Sequence, residues 1–346
     1  MSDFAQAGLI CTLQRLNDTH LGRIEAELHE IARVRPIALV LPCHGRDLEQ
    51  PAFQRLLEEL RGADFLREIV LSMNGVAPAV REALPGRLSS LRQKVTLLQN
   101  EATAQEPGGK GRNVRAAFAH LAAAGECEFI ATQDCDVASF RRADLARLCY
   151  SVAHPQLAFR FAKMYYSRVT DRLYGRVSRL FLAPLLHAVL RVSGHQPLVD
   201  FLLSFRYPLA GEVALTRELA AVLPVSSGWG LEIGQLCEVF RRVDPREVCQ
   251  VDGGSGYDHK HQPAAPALAD MAGEIARELF TQFAAEGLAN DLAFRAAIAA
   301  AYRREAAHSL RRSASLATIN GLPFDEAAER AIVEEFAARL GTGSEG

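Results

Sequence analysis

The chain has 346 residues, with 39 Lys plus Arg against 41 Asp plus Glu. That length allows one large core or two modest ones, and so balanced a charge gives no electrostatic case for wrapping nucleic acid. The longest apolar stretch, Leu180 to Leu190, contains His187 and is followed by Arg191, which makes it too short and too polar to span a bilayer.

Residues 1–34 read as helical, and polar residues interrupt every apolar run there, so no signal peptide is expected. Pro36-Ile-Ala-Leu-Val-Leu-Pro42 is a continuous apolar run of strand length. Glu68-Ile-Val-Leu-Ser-Met73, Lys94-Val-Thr-Leu-Leu98 and Phe129-Ile-Ala-Thr132 are further strands, with helices predicted near 47–62, 76–84 and 112–124. Continuous apolar strands separated by helices predict an α/β fold with a mostly parallel sheet covered on both faces. Leu157-Ala-Phe-Arg-Phe-Ala-Lys163 alternates as a strand does, and a basic, apolar helix follows over 171–193, broken near Pro184. Glu247-Val-Cys-Gln-Val-Asp252 reads as one more strand, and amphipathic helices are expected near 268–286, 290–309 and 324–340. The resulting division is an N-terminal helical segment (1–34), an α/β unit (35–262) and a helical C-terminal extension (263–346).

Chemistry concentrates at the ends of these elements. In Thr132-Gln-Asp-Cys-Asp136 two carboxylates two residues apart follow a strand, where alternation projects both to one side. Such hard oxygen ligands suit Mg²⁺ or Mn²⁺ holding a diphosphate, and ligands gather beyond the carboxyl ends of parallel strands. Pro107-Gly-Gly-Lys-Gly-Arg112 feeds a helix N-terminus, which favours anions, with Lys110 adding a point charge. Gly175-Arg176-Val-Ser178, close to Arg168, Arg172 and Arg179, suits a phosphate or carboxylate. Tyr207-Pro-Leu-Ala-Gly-Glu212 and Gly228-Trp-Gly-Leu-Glu-Ile-Gly234 are glycine-bearing islands where a backbone can approach a ligand, and Trp229 is the sole tryptophan. His259 and His261, two residues apart, are candidate ligands for a metal or a phosphate. The seven cysteines include no Cys-x-x-Cys, so neither a disulfide framework nor a zinc site is expected, and reduced thiols in the cytoplasm fit best.

Taken in order, these motifs from about Pro36 to Gln262 resemble the glucosyl-3-phosphoglycerate synthases, retaining glycosyltransferases of the GT-A fold. The resemblance implies a Rossmann-like GT-A sheet and metal-dependent transfer of glucose from a nucleotide diphosphate sugar, UDP-glucose foremost, to the 2-hydroxyl of 3-phosphoglycerate. It assigns Asp134, Asp136 and His259 to Mg²⁺ or Mn²⁺. Pro42, His44, Lys110, Asp134, Leu209, Ala210, Gly211, Glu212, Trp229 and Glu232 fall to the nucleotide sugar. Gly175, Arg176, Ser178 and His261 fall to the acceptor, and Asp136, Glu232 and Arg176 to catalysis. Pro42-Cys-His-Gly-Arg-Asp47 departs from the family's Asn-Glu-Glu type of segment, which leaves the donor base open. GDP-mannose as donor, glycerate as acceptor, and a non-catalytic sugar-nucleotide-binding protein are the rival readings. The C-terminal helices either cover an open sheet edge or build a homodimer, and no stable membrane insertion is expected.

Overall fold

The computed structural model describes residue 6 and residues 8–101, 109–255 and 265–341. Among these, eight strands make one sheet: β1 (Cys11–Leu13), β2 (Ile37–His44), β3 (Leu66–Asn74), β4 (Lys94–Gln99), β5 (Phe129–Thr132), β6 (Phe161–Ser167), β7 (Val213–Thr216) and β8 (Val248–Ser255). Their order is β1-β8-β6-β7-β5-β2-β3-β4. Every pairing is parallel except those of β7, which runs antiparallel to both β5 and β6. The mostly parallel α/β sheet expected from the apolar runs is therefore present. The reversed strand has one consequence for the site. Its first residue, Val213, lies opposite Thr132 at the carboxyl end of β5, so the loop preceding β7 opens on the same edge as Asp134.

Alternation along the strands divides the interior into two layers. Ala38 and Val40 of β2 face one core, which also takes the helices Lys110–Ala124 and Leu231–Arg242. Ile37, Leu39 and Leu41 face the other, which is covered by the helices Leu21–Ala32, Pro51–Leu60 and Arg142–Ala153. A strand buried on both faces needs apolar residues at every position, which is why these runs are continuous.

Five expectations need correction. The N-terminal segment is not wholly helical: Cys11–Leu13 pairs with Cys249–Val251, a partner far along the chain that local periodicity does not reveal. The strand expected over 157–163 starts at Phe161, because the chain first turns at Ala158, whose φ is 53°. The segment 171–193 is helical only from Val177 onward. Before it the chain folds back, with Tyr174 N–H donating to the Arg168 carbonyl at 2.9 Å and Gly175 at φ +69°. Pro184 does not break the helix either. It occupies the first turn of Ala183–Ser193, behind a wider π turn at Val177–Leu182, where its missing N–H removes a hydrogen bond from the ladder. Lastly, Cys43 and Cys135 are joined in a disulfide, with Cα atoms 6.0 Å apart. Val40 pairs with Thr132 in parallel register, so Cys43, still in β2, and Cys135, just beyond β5, each three residues further on, lie side by side.

The C-terminal helices Ala265–Ala285, Leu292–Ile319 and Glu326–Gly341 close over one face. Leu279, Tyr302 and Phe336 are fully buried in the same core as Leu180, Phe181 and Leu185. Tyr302 donates its hydroxyl to the Leu180 carbonyl at 2.7 Å, and the Phe181 and Phe336 rings lie 5.3 Å apart. No helix among the described residues is long and apolar enough to cross a membrane. Because the extension shares the main core, Phe336→Ala should destabilise the whole chain by about 3–5 kcal/mol. Denaturant unfolding followed by far-UV circular dichroism and by Trp229 fluorescence should show one shifted transition. A separate early transition with the main one unmoved would mean that the extension folds apart.

Candidate active site

The carboxyl edge of the sheet collects the charged residues. Lys110 opens the helix Lys110–Ala124, directly after Gly109 at its N-cap. Its ammonium lies 2.6 Å from Asp134 Oδ1 and 2.8 Å from Glu232 Oε1. Glu232 is in the first turn of Leu231–Arg242, so three elements distant in sequence converge on a single cation. Burial opposes that charge, but the two carboxylates outweigh it and hold the Lys110 pKa well above the ordinary lysine value.

Gly211 permits this approach. A Cβ there would lie 2.3 Å from Lys110 Nζ and 2.6 Å from Asp134 Oδ2. The loop 209–212 is held from beneath. Thr132 donates its hydroxyl to the Gly211 carbonyl at 2.7 Å. Glu212, fully buried, accepts from the Tyr166 hydroxyl at 3.0 Å and from Gln133 Nε2 at 3.3 Å. Lys163 is also fully buried and donates to the Ala210 carbonyl at 2.5 Å. Burial pushes its ammonium down to about 8, against the pull of Glu232 and Glu212.

Asp136, half-buried on the same loop as Asp134, connects this cluster with the arginine segment. Arg168 lies within electrostatic range of it and hydrogen-bonds the Tyr207 hydroxyl at 3.3 Å. Tyr207 in turn packs on Tyr166 with centroids 4.9 Å apart. The Arg168 side chain passes 3.9 Å from the position of a Gly175 Cβ, and among the described residues its buried Nε has no hydrogen-bond partner. Arg176 and Ser178 follow directly, at the start of the π turn. Lys110, the Asp134–Asp136 loop, Arg168 and Gly175 therefore lie in succession along one side of the site.

The other expected residues lie nearer the rim or outside the described residues. Pro42 is buried in β2 beside Ser72. His44 is exposed and caps the short 3₁₀ turn Gly45–Glu49, accepting from the Arg46 N–H at 3.2 Å. Trp229 is 52% exposed, with its backbone N–H donating to Glu274 at 3.0 Å. Leu209 is half-buried and Ala210 buried. His259 and His261 lie outside the described residues. Arg168 and Tyr207, each at the edge of an expected motif, belong to the site, as do Lys163 and Tyr166, which no motif marked. For Lys163 there was a signal in the sequence, a charge inside the apolar run Phe161-Ala-Lys-Met-Tyr165.

A GT-A-like sheet with an acidic pair and a lysine at its carboxyl edge defines a nucleotide-sugar glycosyltransferase type of protein. No protein-family model matches the chain. The glucosyl-3-phosphoglycerate synthase of Persephonella marina is 34% identical over 358 residues, covering 98% of this chain and 89% of the relative. That of Methanococcoides burtonii is 27% identical over 324 residues, covering 88% and 80%. The crystal structure of glucosyl-3-phosphoglycerate synthase from Mycobacterium tuberculosis, in complex with Mn²⁺, UDP and phosphoglyceric acid, superimposes with a TM-score of 0.60 at 23% identity, covering 80% of this chain and 87% of that one. The chain belongs to the glucosyl-3-phosphoglycerate synthase family and is a glycosyltransferase.

Two outcomes follow from this geometry. Gly211→Ala meets only side-chain ends, so its melting temperature should change little, while transfer activity should fall roughly 100-fold as Lys110 and Asp134 are pushed apart. Activity near that of the parent would show that the close approach is dispensable. Lys163 is depressed from the usual 10.5 to about 8, so the native state binds fewer protons than the unfolded chain between those values. Stability should therefore rise with pH across that window and be lost as pH falls through 8. Urea unfolding of Lys163→Met from pH 7.5 to 10.5 should show that rise flattened; an identical slope in both proteins would exclude Lys163 as its source.

Proposed function

We propose that the chain transfers glucose from UDP-glucose to the 2-hydroxyl of 3-phosphoglycerate with retention of anomeric configuration. The observation that carries this reading is the Lys110 ammonium shared by Asp134 and Glu232 beneath Gly211, in a chain 34% identical over 98% of its length to a relative named for that reaction. Asp134 and Asp136 offer hard carboxylate oxygens, and Asp134 already neutralises a cationic group, so the pair fits a divalent ion, with His259 proposed as a further ligand. Relatives of this fold are described in complex with Mn²⁺ or Mg²⁺ and UDP. When bound, the ion supplies positive charge to the diphosphate.

The chain's own residues do the rest. Lys110 provides a fixed charge where the diphosphate oxygen gains electrons, and so needs no reorganisation during reaction. Glu232, set by Lys110, orients the glucose hydroxyls, while the loop 209–212, braced by Lys163 and Glu212, carries the sugar. Pro42, His44 and Trp229 border the nucleotide in this reading. The backbone at Gly175, the Arg176 guanidinium and the Ser178 hydroxyl hold the acceptor's anionic end, His261 being assigned to the same substrate, so that the 2-hydroxyl faces the anomeric carbon. The bond from that carbon to the diphosphate oxygen breaks as the bond to the acceptor oxygen forms on the same face, and the acceptor proton passes to the departing oxygen. Residues 35–262 are the catalytic unit in this reading, and 263–346 are its cover. Cytoplasmic residence and a homodimer complete it, the latter supported by exposed Leu316 and Ile319 one helical turn apart.

The test is a matrix of UDP- and GDP-sugars against 3-phosphoglycerate and glycerate, with Mg²⁺, Mn²⁺ or chelator. Transfer from UDP-glucose to 3-phosphoglycerate should dominate and vanish with chelator. Asp136→Ala should lower kcat roughly 100-fold or more. Near-normal turnover in that variant, or a preference for glycerate untouched by Arg176→Ala, would overturn the assignment.

A further inference from the structure

The last helix, Glu326–Gly341, holds one carboxylate unlike its neighbours. Glu326, Glu334 and Glu335 are exposed, whereas Glu329 is 4% exposed. Its Oε1 accepts from Arg176 Nε at 2.8 Å, and its Oε2 lies 2.5 Å from Arg179 Nη2. A carboxylate buried this far stays charged only against close cationic partners, and here both lie more than a hundred residues earlier in the chain.

The two arginines are used differently. Arg179 is held at every nitrogen: Nε donates to the Tyr174 carbonyl at 3.2 Å, Nη1 to Ser313 Oγ at 3.2 Å, and Nη2 faces Glu329. Arg176 is held only through Nε, and among the described residues its two Nη atoms have no hydrogen-bond partner. A guanidinium fixed by its inner edge presents the outer pair of donors as a rigid fork, the geometry that binds phosphate or carboxylate bidentately. Glu329 also separates two like charges one helical turn apart and leaves the cradle one net positive charge to offer an anion.

We infer that Glu329 is a positioning residue for the acceptor, holding Arg176 so that its outer nitrogens meet the substrate's anionic group; this rests on the acceptor role proposed for Arg176. The carboxylate takes the nitrogen that the substrate does not need, so it orients the arginine and does not compete for it. The C-terminal extension is thus part of the acceptor site as well as a cover for the core.

Steady-state kinetics of Glu329→Gln, Glu329→Ala, Glu329→Asp and Arg176→Ala, varying 3-phosphoglycerate and UDP-glucose separately, test this. Glu329→Gln and Glu329→Ala should raise the KM for 3-phosphoglycerate roughly 10- to 100-fold, with the KM for UDP-glucose unchanged and Glu329→Asp restoring part of the loss. In an Arg176→Ala background Glu329→Gln should add nothing, since it acts through the missing guanidinium. Should Glu329→Ala fail to fold, the isosteric Glu329→Gln decides. An acceptor KM raised by Arg176→Ala but not by Glu329→Gln overturns this inference alone, as does a lowered KM, which would mark Glu329 as a competitor. An acceptor KM unmoved by Arg176→Ala overturns the proposed acceptor site together with it.

Discussion

The shared ammonium of Lys110 is the interaction on which the rest of the site depends. Asp134 and Glu232 reach the same point from different elements, and without a cation between them they would repel one another at the edge of a low-dielectric core. Holding both carboxylates in place needs a small residue above them, which Gly211 supplies, and a rigid floor below, which Lys163 and Glu212 supply. The arrangement is charged throughout yet nearly balanced, the condition under which buried ionic groups persist.

Sheet topology makes the convergence possible. A parallel sheet delivers the ends of β2, β5 and β6 to one edge, where the starts of the helices Lys110–Ala124 and Leu231–Arg242 also meet them; a loop that leads into a strand reaches that edge only if the strand is reversed. The reversed β7 meets this condition, placing the loop 209–212 against the Asp134 turn. The disulfide between Cys43 and Cys135 fastens the same turn to the end of β2, so the acidic pair is tethered on both sides.

The C-terminal helices have a purpose that their composition conceals. Their Ala, Glu, Arg and Leu pattern is that of any amphipathic cover, and most of their apolar face is spent on the core around Phe181. Tyr302, Ser313 and Glu329 nevertheless grip the backbone and arginines of the segment 174–182. The segment 174–182, which passes from a left-handed glycine into a π turn, is held by the extension through both its backbone and its arginines.

By itself the sequence determined the α/β class, most of the parallel strands, the acidic pair at a strand end and the ordered string of motifs that places the chain in its family. These are local properties: apolar runs of strand length and glycine-bearing islands are written in consecutive residues. Tertiary structure alone decided the β1–β8 pairing, the reversal of β7, the Cys43–Cys135 bond, the buried Lys163 beneath Ala210 and the hold of Glu329 on Arg176. Each of these joins residues dozens to hundreds of positions apart, and a side chain's partner at that separation is chosen by how the layers pack, which no local pattern encodes.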